Sequence, residues 1–433
     1  MKRLISLFLM MCSVHFVQSQ NYYFPPIDNE QWETVSPSDL GWCTENIDSL
    51  YHFLEAENTK AFILLKDGRI ALERYFGTFT ADSVWYWASA GKTLTAFTTG
   101  IAQREGFLTL DDTVQDYLGS GWTSCTAEME QQITVRHQLT MTTALDDGVA
   151  DTDCTLPSCL SCLDEAGNRW AYHNAPYTLL ESVLSNATGL SLNAYVNSRI
   201  SQKTGINGVY VSMGYNKVFF SKARSMARFG LLVLNGGTWD TTQVLGDSLY
   251  FESMVNTSNP YNLSYGYLWW LNGKESFMLP YSRLVFPGMM FAQAPADVIA
   301  ALGKNGQIIN ISASRGLVFI RMGLPPSENG VITPLFSNEI WKRLNDILCE
   351  PTGFSDMNQN KLFSLAQNPV SDVLSIQMND NENLLMTISD LTGNTLYVGN
   401  KTEIDVSAFA NGLYFISVQT QKGSQILKFV ISD

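Results

Sequence analysis

The hydrophobic spacing of this 433-residue chain changes once, and the change limits what the chain can build. Up to Cys349, apolar residues recur at helical and strand spacings in turn; beyond residue 362 they only alternate. The switch falls at Glu350 to Lys361, a polar stretch with Pro351, Gly353 and two asparagines, which reads as a linker. A single core cannot serve both patterns, so the sequence predicts two folded units, 20–350 and 362–433, joined by a linker over 351–361.

In the first unit, Asn46 to Glu57 puts Ile47, Leu50, Tyr51 and Leu54 on one helix face. Ala61 to Gly77 reads as two strands around an Asp67-Gly68 turn. Further helices are expected at Ala223–Asn235 and Asn338–Cys349. A second hairpin, Gln307–Ser312 with Gly316–Met322, is expected around Ala313-Ser-Arg-Gly316. Helix, strands, a long helical insertion, strands, helix is an α+β order with an antiparallel sheet. In the second unit, Leu374, Ile376 and Met378, then Leu396 and Val398, Ile404 and Val406, and Leu413 and Phe415 alternate with polar residues between turns. That is a small β-sandwich.

The chain begins Met-Lys-Arg, continues mostly apolar from Leu4 to Val17, and reaches a small residue at Ser19, the pattern of a signal peptide over 1–19. Export suits the six cysteines left after its removal, an even number consistent with disulfides. Cys43 opens the first helix and Cys349 closes the last, so these two meet if those helix ends pack together. Cys159-x-x-Cys162 has no second such pair and only three mature histidines are available, so no metal site is expected. Net charge is −14 and no basic run follows the first three residues, which excludes nucleic acid and anionic membrane as natural partners. No stretch is long and apolar enough for stable membrane insertion.

The chemistry concentrates at Ser89-Ala-Gly-Lys92, which follows Trp85-Tyr-Trp87. Residues three apart on a helix share a face, so Lys92 can take the Ser89 proton if burial and neighbouring positive charge hold the amine neutral. The N-terminus of that helix offers N–H groups to an oxyanion. Tyr172, in Trp170-Ala-Tyr-His-Asn174, is a candidate proton shuttle, its pKa expected to be lowered by the lysine, and Asn174 a partner for substrate or lysine. In Leu302-Gly-Lys304-Asn-Gly306-Gln307, Lys304 suits a substrate carboxylate, Gly306 allows close approach, and the Gln307 N–H is a second oxyanion donor. His52, His137 and His173 read as structural, and no Gly-x-Ser-x-Gly elbow is present.

Over about residues 45–350, these motifs in this order resemble the serine beta-lactamase and penicillin-binding-protein superfamily. The branch is that of class C beta-lactamases, related esterases and 6-aminohexanoate-dimer hydrolases. The framing segments Glu105-Gly-Phe-Leu-Thr-Leu-Asp111, Ile133-Thr-Val-Arg-His137-Gln-Leu139 and Tyr265-Gly-Tyr-Leu-Trp269-Trp270 support it. The resemblance implies acyl transfer through Ser89, with Lys92 and Tyr172 sharing the proton work, on an ester or amide of small-molecule or peptide-like character, without a cofactor. It also leaves a beta-lactamase, a D-alanyl-D-alanine carboxypeptidase and a non-catalytic binding protein on the same scaffold as alternatives. Asn305 stands where that superfamily has a threonine, which points away from beta-lactams. The tail, with Asn368-Pro-Val-Ser-Asp372 and Gly412-Leu-Tyr-Phe-Ile416, resembles a type IX secretion sorting domain, which implies that secretion machinery as a partner and a secreted or cell-surface location.

Overall fold

The structure, a computed structural model, describes residues 22–326, 333–349, 363–378, 385–390, 394–420 and 423–432. The expected signal peptide and linker lie outside the described residues. Elements are labelled in chain order. The first helix, α1, is Ile47–Ala56, and Leu50 and Leu54 on its inner face are fully buried. Strands β1 (Thr59–Lys66) and β2 (Arg69–Tyr75) form the first hairpin. Both turn residues, Asp67 and Gly68, have positive φ, the mirror-image turn whose twist matches two antiparallel strands. A short strand, β3 (Val84–Tyr86), leads into helix α2 (Lys92–Arg104), which is buried along almost its whole length.

The insertion contributes α3 (Asn174–Thr188), strands β4 (Gly208–Met213) and β5 (Asn216–Lys222), and α4 (Ala223–Leu234). Strands β3, β5 and β4 make a small sheet of their own. The chain then returns to the main sheet through β6 (Trp270–Leu271), β7 (Ile299–Gly303), β8 (Gln307–Ser312) and β9 (Leu317–Gly323). It closes with α5 (Thr333–Leu348), five residues longer at its start than the spacing predicted. The main sheet runs β2-β1-β9-β8-β7-β6, antiparallel throughout. Strands β8 and β9 are buried at every position, so covering layers lie on both faces. Helix α4 packs so closely on this sheet that a Cβ at Gly230 would stand 2.5 Å from Val318 Cγ1.

Cys43 and Cys349 are joined by a disulfide, and the Cys43 N–H donates to the Ile347 carbonyl beside it. The remaining pairs are Cys125–Cys162 and Cys154–Cys159.

The second unit has its own core, separate from the first. Its strands are β10 (Phe363–Leu365), β11 (Val373–Met378), β12 (Leu385–Ser389), β13 (Thr395–Gly399), β14 (Glu403–Asp405), β15 (Gly412–Thr420) and β16 (Gly423–Ile431). They form sheets β10-β11-β14 and β13-β12-β15-β16. Leu374, Ile376, Ile404 and Val406 point inward as expected. On β13 and β15 the inward face is the other one. Leu396 and Val398 are exposed, while Tyr414, Ile416 and Val418 fill the core in place of Leu413 and Phe415. Alternation alone cannot say which of two half-apolar faces turns in, and a shift of one residue exchanges them. Phe415 has a different partner: its ring meets Phe286 of the first unit edge-on at 5.3 Å.

Candidate active site

Strand β3 positions the nucleophile candidate. Its pairing with β5 brings Trp87 beneath the turn, where the Trp87 N–H donates to the Phe219 carbonyl and its indole N–H to Ser221 Oγ. The chain then enters a 3-10 turn, Ala88–Gly91, before α2 begins at Lys92. Ala88 is held at φ +48, a conformation that costs about 1 kcal/mol or more for a residue with a Cβ. Ser89 is half-buried at the top of this turn.

Lys92 is 4% exposed, and its Nζ stands 2.9 Å from Ser89 Oγ. The amine also lies over two rings, Tyr177 at 4.4 Å and Tyr172 at 5.2 Å from the centroids. Burial pushes the Lys92 pKa down to about 7, against the opposing pull of Asp153 and Glu181. The charge facing this lysine is therefore negative, chiefly that of Asp153, not positive as the sequence reading required, and desolvation alone supplies the depression.

Tyr172 stacks on Trp270 with centroids 5.8 Å apart, and Ser89 is close enough to act on its phenol. Burial pushes its phenol well above the ordinary tyrosine range, and the neighbouring Ser89 only partly opposes this. The lowered pKa expected from sequence is thus reversed: the aromatic wall of Trp170, Tyr265 and Trp270 desolvates the phenolate more than its neighbours favour it. Tyr172 is a neutral phenol, able to give a proton and take one in the same step.

Asn174 opens α3. Its Nδ2 donates to Asp153 Oδ1 at 2.7 Å, and its Oδ1 is buried without a partner. Glu181, two turns along α3, is also fully buried; burial lifts its pKa to about 8, and the Tyr177 hydroxyl donates to it at 3.2 Å. His173 is buried with neither ring nitrogen paired, and burial pushes it down to about 4.

The opposite wall is the end of β7. A Cβ at Gly303 would stand 2.4 Å from the Trp87 carbonyl oxygen and 3.0 Å from the Ala90 nitrogen, so this strand end rests directly against the Ser89 turn. The next three residues turn back into β8 with Asn305 at φ +65 and Gly306 at φ +73. The Lys304 side chain is exposed on this turn. Asn305 Nδ2 donates to the Tyr86 hydroxyl at 2.8 Å. Gln307 is buried, its amide exchanging two hydrogen bonds with the Gly323 backbone. Beneath the turn lies Arg321, fully buried, donating to the carbonyls of Asn305, Gly306, Glu57 and Leu324.

Of the residues read from sequence, Ser89, Lys92 and Tyr172 come together as one cluster, and Asn174 lies beside it in the same segment. Lys304, Gly306 and Gln307 belong to the facing turn as scaffold, the Lys304 ammonium turned to solvent. Sequence reasoning missed Asp153, Glu181, Gly303 and Arg321. Arg321 was visible as one charge in the apolar run Leu317-Val-Phe-Ile-Arg-Met, and Glu181 as one in Tyr177-Thr-Leu-Leu-Glu-Ser-Val-Leu. Asp153 gave no signal in a loop already rich in aspartate.

The beta-lactamase family model matches residues 57–286, more than half of the chain and the whole of the segment carrying Ser89, Lys92 and Tyr172. The chain belongs to the beta-lactamase family. Its hydrolase unit has the beta-lactamase/transpeptidase-like fold, and residues 367–432 match the secretion system C-terminal sorting domain, of the type IX kind. No curated protein matches the chain. Among solved structures, a Bacillus anthracis protein described as a 6-aminohexanoate-dimer hydrolase is 19% identical, covering 75% of this chain and 89% of its own, with a TM-score of 0.57. A Bacteroides dorei protein described as a beta-lactamase is 16% identical over 71% of this chain and 99% of its own, with a TM-score of 0.56. A penicillin-binding-protein homologue from Caulobacter crescentus is 13% identical over 73% and 99%, with a TM-score of 0.55. At such identities the shared property is the beta-lactamase fold. The sorting domain marks an exported protein, and no helix among the described residues is long and apolar enough to cross a membrane.

Proposed function

We propose that this beta-lactamase-family protein is an exported serine hydrolase that cleaves an ester or amide through an acyl-enzyme on Ser89. One observation carries the reading: a lysine amine buried to the point of being half neutral near pH 7, hydrogen-bonded at 2.9 Å to a serine hydroxyl. Ser89 Oγ attacks the carbonyl carbon while its proton passes to Lys92. Tyr172 then gives its proton to the departing oxygen or nitrogen and is refilled from Lys92, leaving Ser89 esterified. Water attacks that ester, its proton enters the same relay, and Ser89 leaves with a proton restored.

The oxyanion is assigned to the Ser89 N–H and to a second donor on the facing turn. Gln307 is the sequence-derived choice, but it lies on β8, in register with Gly303. Gly303 itself touches the Ser89 turn, so the N–H next along the chain, that of Lys304, is the better second donor. The exposed Lys304 ammonium remains available to a carboxylate at the mouth of the site. A signal peptide over 1–19 and a sorting domain at the other end are consistent with delivery to the cell surface or beyond.

Fluorophosphonate labelling followed by peptide mass spectrometry tests the nucleophile. The expected adduct is on Ser89, and its absence at every pH would favour a binding protein on this scaffold. Turnover of short p-nitrophenyl esters without turnover of nitrocefin is the expected substrate pattern. The reverse pattern would make the protein a beta-lactamase.

A further inference from the structure

The segment Asp151–Cys159 precedes the coil that carries Tyr172 and is closed on itself by the Cys154–Cys159 disulfide. It is stitched to the site at two points. The Ala175 N–H, in the first turn of α3, donates to the Thr152 carbonyl at 3.1 Å, and Asn174 Nδ2 donates to Asp153 Oδ1 at 2.7 Å. The Asp153 backbone is itself set by Asp151, whose carboxylate accepts from the Asp153 N–H at 3.0 Å. A carboxylate only accepts hydrogen bonds, so it decides which way the Asn174 amide lies. Nitrogen must face Asp153, and the carbonyl oxygen is left buried and unpaired. The same carboxylate acts on the other two members of the cluster, drawing a proton toward Lys92 and opposing ionisation of Tyr172.

We propose that Asp153 is a positioning residue of the Ser89 site, orienting the Asn174 amide and supplying a fixed negative charge opposite Lys92. Asn174 is then held with its amide nitrogen on the loop and its carbonyl oxygen enclosed. Lys92 is faced by Asp153 from this loop, by Glu181 and the Tyr177 ring from α3, and by Ser89 and Tyr172, with Lys217 acting on Glu181 from the far side. Of the two carboxylates Asp153 is the partly exposed one, on a loop outside the core, while Glu181 is fully buried. Its charge is therefore removable with little change in packing.

The inference rests on Ser89 as nucleophile, and its test keeps the two apart. The mature full-length protein and its D153N and D153A variants are compared for the pH dependence of Ser89 phosphonylation, for KM on a short p-nitrophenyl ester, and for melting temperature. D153N keeps an acceptor for Asn174 but loses the charge. Its acid limb is expected to move to lower pH by about one pH unit, because the Asp153 carboxylate no longer favours the protonated form of Lys92. D153A should show the same displacement and, with Asn174 released, a several-fold higher KM. Both variants keeping the wild-type limb, whatever their melting temperatures, would overturn the proposal. Wild-type protein that takes no label at any pH would overturn the Ser89 reading, and this inference with it.

Discussion

Lys92 is the residue on which reaction and stability meet. Its folded pKa near 7 lies far below the 10.5 of a solvated lysine, so kcat/KM should rise with pH through about 7 as the free amine appears. At pH 6, about one unit below that pKa, the rate should be roughly tenfold under its plateau. A profile flat from pH 5.5 to 8.5 would remove Lys92 as the base. Glu181 titrates in the opposite sense. Its pKa is raised from 4.5 to about 8 on folding, so the native state holds the proton more tightly, and stability falls as pH climbs between those values. Glu181→Gln cannot ionise and escapes this loss. Thermal melts should show it gaining on wild type from pH 5 to pH 9, by roughly 2–4 kcal/mol at the upper end. Equal pH dependence of the two melting curves would show that Glu181 does not titrate as a buried acid. Ser89, Lys92 and Tyr172 were legible from sequence because their types and spacing encode a chemistry. Asp153 and Gly303 were not, since a loop carboxylate and a strand-end glycine gain meaning only from what the fold sets beside them.

Among elements, the decisive contact is the end of β7 against the Ser89 turn. With 2.4 Å between a Gly303 Cβ and the Trp87 carbonyl, Gly303→Ala must drive the strand and the turn apart. Overpacking of this kind costs about 1–3 kcal/mol, and a shift on the order of 1 Å at a reacting centre costs ~100-fold in rate. The variant should therefore melt lower and label at Ser89 at least tenfold more slowly; wild-type labelling would mean that the strand end takes no part in the site. Strands β1 and β2 and helix α4 could be read closely from sequence, because the Asp67-Gly68 turn and the strand and helix spacings of apolar residues agree there. The inward faces of β13 and β15 could not. Both faces of those strands carry large apolar residues, and the choice between them is made by neighbours such as Phe286.

At the level of the whole molecule, two cores predict two separable behaviours. A chain stopped after Cys349 should label at Ser89 within about twofold of the full-length rate and melt in a single transition. It should also fail to reach the medium when expressed with residues 1–19 in place, since the segment matching the sorting domain is gone. Loss of labelling on truncation would instead make the sandwich part of the active enzyme. The change in hydrophobic period is the plainest signal in this chain, because it is carried by dozens of residues at once. Their contact through Phe286 and Phe415 was not readable, since each aromatic finds a partner far away in sequence.

The bond between Cys43 and Cys349 closes residues 43–349 into a covalent loop, with everything past residue 349 hanging from its seam. A protease that removes the tail after delivery would cut outside that loop. The beta-lactamase-like unit would then lose its address label while Cys43 and Cys349 stay fastened to each other, so that its last helix is free neither to fray nor to be pulled open from the cut.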